Sequence, residues 1–372
     1  MIVKLGDIAR ECKCTSDNKE CPIVGLEHLE PKELLLKNSS TDPNTTFTKA
    51  FKAGQILFGR RRSYQQKASV ATFDGICSGD ITVIEAIPEK VEPRLLPFII
   101  QNEAFFNYSI IGSAGGLSPR VKWQHLANYE FDLPSLDEQK VLADKLWAAY
   151  EVKESYKNLL AQTDKLLHAQ FEKMFGDMAV NPFNWGMKHL KDIASYSIGL
   201  TYSPDDVSED GIIVLRSGNI QEGRLSLEDL VKVKCDIPEK LFVKPNDILM
   251  CSRNGSAALV GKVAKIDTIK EPMTFGAFMT IIRSGYSDYL YMYFQSKAFR
   301  DAIAYGKSST MNQITQKMLD NVVLTIPNDD TKLLEWSNFA EQSEKTKASL
   351  NKGIEAIEAV IRSLIAEGTT KV

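Results

Sequence analysis

The chain has 372 residues, of which 44% are hydrophobic and 25% are charged, and its formal net charge is −3. This composition is ordinary for a globular protein and excludes an intrinsically disordered chain, and the length favours two domains over one. The charge lacks the basic excess of many nucleic-acid-binding proteins. The net charge of the whole chain does not show how charge is distributed over its surface, however, and Arg60-Arg61-Arg62 is a compact cation cluster.

The cysteines and the N-terminus carry little functional signal. The six cysteines show no relation between the two halves of the chain: Cys12, Cys14, Cys21, Cys77, Cys235 and Cys251. The first three lack a fourth ligand at zinc-finger spacing, so we interpret them as reduced thiols and predict no metal site. Lys4 and Asp7 interrupt any signal-peptide core, and no apolar run approaches the ~20 residues that span a bilayer. We therefore expect a cytoplasmic protein without membrane contact.

The second half of the chain repeats the plan of the first half. Residues 3–9 return as 188–194 with the shared pattern Leu-x-Asp-Ile-Ala, and residues 52–57 return as 244–249. Two further blocks recur in the same order, and the last three of the four blocks are separated from their copies by 192, 194 and 193 residues. Collinear repetition of this kind indicates two copies of one module.

In chain order, the first module shows strand patterns at 68–73 and 80–84 and a helical pattern at 95–106. A long helix follows. Ser135 and Glu138 have capping-box spacing at its start, and Gly176 is a stop signal at its end.

The second module predicts strands at 259–266 and 278–282, a helix at 289–305, and a second long helix from Asn328 to Gly368. Gly353 inside this helix costs about 1 kcal/mol relative to alanine. The helix therefore needs a packing partner.

Both long helices carry an apolar stripe with alternating spacings of three and four residues. The stripe residues are Leu142, Leu146, Ala149, Tyr156, Leu160, Leu167 and Met174 in the first helix and Trp336, Phe339, Leu350, Ile354, Ile357, Ile361 and Leu364 in the second, which also includes Thr346. We predict that the two stripes bury each other. The alternative is that each helix packs on its own module.

These patterns predict an α+β protein with two mixed α/β globular domains, two long helices that form an antiparallel coiled coil, and a pseudo-twofold internal repeat. The expected boundaries are 1–134 for the first globular domain, 135–176 for the first long helix, 177–327 for the second domain and 328–372 for the second long helix.

Motifs for catalysis are missing from the sequence. It contains no phosphate-binding Gly-x-x-x-x-Gly-Lys-Ser/Thr, no dinucleotide-binding Gly-x-Gly-x-x-Gly and no His-Glu-x-x-His. None of the four histidines, His28, His125, His168 and His189, has a histidine at the corresponding position of the other half. We therefore predict no catalytic residue.

The remaining signal is polar, basic and placed in loops. Each module has a basic loop after its repeated Ile-Leu strand and a Gly/Ser-rich loop before its closing strand. Side chains of this kind suit contacts to phosphates and to base edges in the major groove. The candidate DNA-binding residues of the first module are Arg60, Arg61, Arg62, Ser63, Tyr64, Lys67, Arg120 and Lys122. Those of the second module are Ser252, Arg253, Asn254, Lys262, Lys307, Asn312, Gln313 and Lys317. An ordinary solvated loop is the alternative interpretation.

With these features assembled, the chain resembles the specificity (S) subunits of type I restriction–modification enzymes over its full length. The resemblance is carried by the module–helix alternation, the Leu-x-Asp-Ile-Ala openings at Leu5 and Leu190, Trp185 before the second module, and Leu-Pro-Ser-Leu-Asp-Glu-Gln at 133–139. Two departures are Asp330-Thr331-Lys332 at the second helix entry and Gly353. Both departures lie at the helix junction, where they affect the partner contacts expected there.

The resemblance implies a non-catalytic subunit. Each globular module would be a target recognition domain for one half of a bipartite, asymmetric DNA sequence, and the helices would set the spacer and dock two modification (methyltransferase) subunits. Restriction (translocase and nuclease) subunits would join that complex. S-adenosylmethionine, ATP and magnesium would bind to the partner subunits and not to this chain.

Three other interpretations remain open at the level of sequence. One is a binding subunit for a fused nuclease–methyltransferase of another restriction type. Another is a tandem protein-interaction scaffold that binds no DNA, and the third is an enzyme with an unrecognised site.

Overall fold

The computed structural model describes residues 1–304 and 312–368. The chain folds into two compact units. Unit 1 comprises Met1–Leu159 and the chain from Leu350 onward, and unit 2 comprises Leu160–Ser349. Each unit combines small sheets with helices and contains a section of both long helices, and the predicted α+β class is confirmed.

Unit 1 begins with short strands that surround a few helical turns. Its strands are β1 Ile2–Lys4, β2 Ala9–Cys12, β3 Ile23–Val24, β4 Lys49–Phe51, β5 Ile56–Gly59, β6 Ala68–Val70, β7 Gly75–Cys77, β8 Ile81–Ala86 and β9 Glu130–Asp132. Its short helices are α1 Leu5–Ile8, α2 Leu96–Ile100, α3 Glu103–Ile111 and α4 Trp123–Leu126, and they are followed by the long helix α5, Leu136–Phe175.

The centre of unit 1 is a four-stranded sheet of order β2-β8-β5-β6, beside a three-stranded sheet β3-β7-β4 and the pair β1-β9. Successive side chains of strand β5 point to opposite sides of the sheet, and all of them are buried, so the strand is covered on both faces. Ile56 and Phe58 join the apolar cluster that also holds the helices, whereas Leu57 joins a second cluster below the sheet. This double burial explains why the repeated motif is a continuous apolar run.

Unit 2 repeats this plan with longer connections. Its strands are β10 Gly186–His189, β11 Ser195–Ile198, β12 Val207–Leu215, β13 Ile220–Gln221, β14 Arg224–Leu225, β15 Val231–Val233, β16 Ile248–Cys251, β17 Val263–Lys265, β18 Met273–Phe275, β19 Met279–Arg283 and β20 Val323–Ile326. Its helices are α6 Leu190–Ile193, α7 Ser287–Gln295, α8 Lys297–Ala304, α9 Gln316–Asp320 and the long helix α10, Asp330–Gly368.

The four-stranded sheet of unit 2 has the order β11-β19-β16-β17, which matches the order in unit 1. The central strand β16 again splits its side chains between two apolar clusters, with Ile248 and Met250 in one and Leu249 and Cys251 in the other. The internal repeat detected in the sequence is therefore a repeat of sheet topology and of core construction.

Several predicted segments differ in detail from the structure. The helical pattern at 95–106 is two helices, because the Asn102 side chain caps α3 by accepting a hydrogen bond from the Ala104 N–H. The strand predicted at 278–282 begins at Met279, and Phe278 lies in the turn before it. The pattern at 289–305 is likewise divided into α7 and α8, and Tyr305 lies outside the described residues.

The long helix α5 begins and ends at the predicted signals. The Glu138 carboxylate accepts hydrogen bonds from the Ser135 N–H and hydroxyl, at 2.9 and 2.7 Å. Gly176 follows the last turn with φ of 68°, the left-handed conformation that glycine adopts readily at helix ends.

The start of α10 differs from the prediction by one residue. The sequence pattern predicts Asn328 as the cap, but the Asp329 carboxylate accepts the Thr331 N–H at 2.8 Å and the helix begins at Asp330. Hydrogen bonding with the Thr331 side chain, together with this backbone hydrogen bond, lowers the pKa of Asp329. A carboxylate also interacts favourably with the positive end of the helix dipole, so the aspartate is the better cap.

Within unit 1 the sections of α5 and α10 pack against each other in antiparallel orientation. A Cβ atom on Gly353 would lie 2.5 Å from the Tyr156 ring, whereas one on Gly368 would collide with Leu142, which is earlier in α5. Between these contacts the buried Lys153 ammonium forms an ion pair of 2.8 Å with Glu358. The glycine that interrupts the α10 pattern is therefore the position where a tyrosine ring meets the helix.

Within unit 2 the corresponding sections also pair in antiparallel orientation. Trp336 of α10 packs edge-on against Phe171 of α5, with 4.9 Å between ring centroids. Lys347 is buried and forms an ion pair of 3.1 Å with Asp164. Each unit thus contains a buried lysine on one long helix that faces a carboxylate on the other.

Apart from Thr346, the stripe residues predicted for the helix pair are buried or half-buried. Leu146, Ala149, Leu167 and Trp336 are buried, and Leu142, Tyr156, Leu160, Met174, Phe339, Leu350, Ile354, Ile357, Ile361 and Leu364 are half-buried. One further stripe position was wrong. Thr346 is exposed, and the neighbouring Ser343 and Lys347 are buried in its place.

Among the described residues no helix has the length and apolar character needed to cross a membrane.

Candidate nucleic-acid interface

In unit 1 the two predicted loops lie side by side at the end of strand β5. The Val121 N–H donates to the Arg60 carbonyl at 2.9 Å, and the Arg62 N–H donates to the Pro119 carbonyl at 2.9 Å. Arg61 and Arg120 form an isolated antiparallel β-bridge between the loops. The structure therefore brings together cations that are about sixty residues apart in the sequence.

Asp80 organises this cluster, and the sequence analysis did not select it. Its carboxylate accepts hydrogen bonds from Arg120 at 2.6 and 3.1 Å, and Arg61 lies 3.5 Å away. The hydrogen bond from Arg120 is the largest cause of a lowered pKa at Asp80 and outweighs partial burial, which acts in the opposite direction. Asp80 therefore stays ionised and orients two of the predicted DNA-binding arginines.

The other cations of unit 1 differ in availability. Arg60 and Arg62 are half-buried and have no carboxylate partner in the described part of the chain. The Nε atoms of Arg60, Arg61 and Arg62 are buried without a hydrogen-bond partner there. Lys122 is exposed. The Lys67 ammonium donates to the Leu26 carbonyl at 2.8 Å, so it supports the fold of the loop as well as adding charge.

Two polar residues complete the predicted set in unit 1. Ser63 is buried and its hydroxyl lies 2.9 Å from that of Ser113, which ties the two loops together. Tyr64 is exposed. Arg62 and Gln66 flank this turn with φ of 55° and 52°. Left-handed backbone is uncommon for side chains of this kind and fits a tightly specified loop.

In unit 2 the corresponding loops meet in the same way after strand β16. The Ile314 N–H donates to the Ser252 carbonyl at 2.8 Å, and Arg253 and Gln313 form the isolated β-bridge. The Arg253 guanidinium donates to the Gln313 side-chain oxygen at 2.8 Å and lies over the Phe278 ring, 5.8 Å from its centroid.

The remaining predicted residues of unit 2 surround this pair. Asn254 donates to the Ser217 hydroxyl at 3.2 Å, and Asn312 donates to the Gly255 carbonyl at 3.1 Å. Lys262 is half-buried in the loop after β16, and Lys317 is exposed on α9. Lys307 lies outside the described residues.

The two sites occupy the same backbone positions. In unit 1 the last residue of β5, Gly59, pairs with Ile81. In unit 2 the last residue of β16, Cys251, pairs with Met279. Asp80 and Phe278, which precede Ile81 and Met279, therefore occupy the same position in the two units. Arg61, Arg120 and Asp80 in unit 1 therefore correspond to Arg253, Gln313 and Phe278 in unit 2. One arginine is retained, and the two residues around it have changed chemistry.

Asp80 and Phe278 are the residues that sequence reasoning missed. No local sequence pattern marks either residue. Asp80 precedes β8 and Phe278 precedes β19, so their positions depend on how β8 pairs with β5 and how β19 pairs with β16. The repeat could have located both once the strand register was known. Across residues 1–304 and 312–368, no group of three His, Cys, Asp or Glu side chains is placed to hold a metal ion.

Comparison with known proteins finds similarity to one family in the first part of the chain. Residues 1–162 match the family model of the type I restriction modification DNA specificity domain. The specificity subunit of the EcoKI type I restriction enzyme of Escherichia coli K12 is 26% identical over 155 residues, which cover 39% of this chain and 33% of that protein. The specificity subunit of StySPI from Salmonella potsdam is 26% identical over 187 residues, covering 46% of this chain and 39% of the relative. The chain thus matches well under half the length of these curated relatives.

Two solved structures share the fold over nearly the whole chain. A chain from a study of complex assembly and conformational transition of the type I R-M system has 17% identity and a TM-score of 0.55, covering 99% of this chain and 97% of that one. The S subunit of a type I restriction-modification system from M. genitalium has 12% identity and a TM-score of 0.59, covering 98% and 94%.

The family match is limited to residues 1–162, which are similar to type I restriction modification DNA specificity domains. A second unit with the same sheet plan follows in the chain. The resemblance to type I specificity subunits that the sequence indicated is confirmed.

Proposed function

We propose that this chain is the DNA-recognition subunit of a type I restriction–modification complex and has no catalytic site of its own. Each unit would recognise one half of a bipartite target through the paired loops at the end of β5 or β16. The two halves would differ in sequence because the residues around the retained arginine differ. The domain boundaries proposed above assign DNA recognition to the globular domains at 1–134 and 177–327 and the spacer to the long helices at 135–176 and 328–372.

The observation that carries this proposal is the repeated loop pair. Two units with little sequence in common place a basic loop and a Gly/Ser-rich or Asn/Gln-rich loop at one backbone position. In unit 1 the side chains of Arg60 and Arg62 have no carboxylate partner among the described residues, and a structural role alone does not require unpaired cations there. Phosphate oxygens and base edges are the partners that such groups match.

The remaining parts of the proposal concern partners. The long helices would fix the spacer between the two half-sites and dock two modification subunits, with restriction subunits joining afterwards. S-adenosylmethionine, ATP and magnesium would be bound by those partners, and the complex would act in the cytoplasm.

Salt-dependent DNA binding tests the proposal directly. Arg60→Ala with Arg62→Ala removes two cations that have no carboxylate partner among the described residues. Because each lost phosphate contact lowers the slope of log K against log salt by about 0.9, the double variant should reduce that slope by about 2 and weaken binding to all sequences.

A matched control removes the same charge elsewhere in unit 1. Lys52 and Lys90 are exposed and lie near the opposite ends of β5 and β8 from the paired loops. Lys52→Ala with Lys90→Ala should leave affinity and slope unchanged. Equal effects of the two double variants, measured by titration of labelled duplex with the full chain and its modification subunits, would refute the assignment of the loops.

A further inference from the structure

Phe278 is an exposed aromatic side chain on a rigid piece of backbone. The side chain is 58% exposed. Its carbonyl oxygen accepts three hydrogen bonds of 3.0 Å, from the Ser252 N–H, the Ser252 hydroxyl and the Arg253 N–H. Single exposed apolar side chains are common on protein surfaces, but this one is held in a fixed position beside the loop predicted to bind DNA.

The neighbours of Phe278 orient it within the loop pair. The Arg253 guanidinium lies over one face of the ring and is also held by Gln313. Arginine is the side chain that most often recognises guanine in the major groove, where it contacts O6 and N7. A ring in contact with that guanidinium would therefore lie close to the base pair next to the guanine.

Only one of the four ordinary bases presents an apolar group in the major groove, and this is the 5-methyl group of thymine. The phenyl ring of Phe278 has no hydrogen-bonding group, so it can discriminate bases there only by apolar contact. In unit 1 the same backbone position holds Asp80, whose carboxylate is paired with Arg120 and cannot make an apolar contact.

We infer that Phe278 is a specificity-determining residue that recognises the 5-methyl group of a pyrimidine adjacent to the base contacted by Arg253. This inference rests on the proposed function and adds to it one base preference in the half-site of unit 2. Unit 1 has no counterpart of this preference at Asp80. Thymine is the natural source of the methyl group, and 5-methylcytosine presents the same group.

The test removes the methyl group from the DNA rather than from the protein. The target is first read from the methylation pattern of cells that carry the complete complex. Each thymine of the half-sites is then replaced singly by uracil in duplexes that compete for the complex. One buried methyl group contributes about fourfold in affinity, so uracil at one position of the unit 2 half-site should weaken binding about fourfold. Phe278→Ala should lose affinity for the thymine duplex and no longer distinguish thymine from uracil there.

Two further arms identify the group that is recognised. With the wild-type complex, 5-methylcytosine at that position should bind about fourfold better than cytosine, and Phe278→Ala should bind both equally. Phe278→Leu keeps an apolar side chain and should keep the preference for the methyl group. Phe183→Ala alters another exposed aromatic residue of unit 2, outside the loop pair, and should leave all preferences unchanged.

The outcomes separate this inference from the function beneath it. If the complex binds its target specifically but the uracil effects are the same for wild type and Phe278→Ala, the inference is wrong and the proposed function stands. If the wild-type complex prefers no sequence at all, the proposed function is wrong and the inference falls with it.

Discussion

The ion pair between Lys153 and Glu358 in unit 1 gives a stability prediction that follows directly from burial. The Lys153 side chain is 9% exposed, that of Glu358 is 36% exposed, and their charged atoms are 2.8 Å apart. Removing one partner of a fully buried pair costs about 3–5 kcal/mol, because the other charge is left without compensation. Glu358 is partly solvated, so we expect Glu358→Ala to destabilise unit 1 by about 1–2 kcal/mol at neutral pH.

The pH dependence of this effect has a definite sign. Burial alone would raise the pKa of Glu358, but its hydrogen bond and charge interaction with Lys153 outweigh burial and lower that pKa. A carboxylate with a lowered folded-state pKa stabilises the protein above its unfolded-state pKa, and this contribution disappears as the pH falls through the folded-state value. The difference between wild type and Glu358→Ala should therefore shrink in acid.

Pulsed hydrogen exchange at increasing urea concentration, read by mass spectrometry, reports each unit separately. Peptides of unit 1 should lose protection at lower urea in Glu358→Ala. The matched control is Glu355→Ala, which removes an exposed glutamate from the same helix. Replacing both partners, Lys153→Met with Glu358→Leu, should restore stability because no charge remains buried. A change below about 0.5 kcal/mol in Glu358→Ala, the level of ordinary surface substitutions, would refute the reasoning.

Two further substitutions test the Asp80 ion pair and the glycine of α10. Asp80→Asn removes the only carboxylate seen to pair with Arg61 and Arg120 in the described structure, so binding to random DNA should strengthen and its salt slope steepen by about 1, while the preference for the target falls. Competition titrations at several salt concentrations measure both. Gly353→Ala should destabilise unit 1 by about 1 kcal/mol, since overpacking against the Tyr156 ring exceeds the gain in helix propensity. In a Tyr156→Ala background the same change should become stabilising, and urea unfolding that shows one sign in both backgrounds would contradict this explanation.

Much of the fold could be predicted from patterns of neighbouring residues in the sequence. The start and end of α5 were predicted at Ser135 and Gly176 because capping depends on a few consecutive residues. The stripe of α10 failed at Thr346, where Lys347 is buried instead. A hydrophobicity pattern assigns a lysine to solvent, and its burial is tolerable because Lys347 pairs with the carboxylates of Asp164 across the helix pair and of Glu344 on its own helix.

The candidate site shows the same division. The basic and Gly/Ser-rich loops were predicted because their composition is local and recurs in both halves. That Lys67 donates to the Leu26 carbonyl, and that two arginines are paired with Asp80, could not be predicted. Those contacts join residues far apart in the sequence, and no spacing rule links them.

The sequence by itself thus determined that the protein is a tandem repeat with two long helices and two basic loop pairs, because repetition, helical period and loop composition are all properties of neighbouring residues. Only the tertiary structure decided that Asp80 and Phe278 stand beside the retained arginine. That placement depends on the register between β5 and β8 and between β16 and β19, which is set by core packing between distant segments.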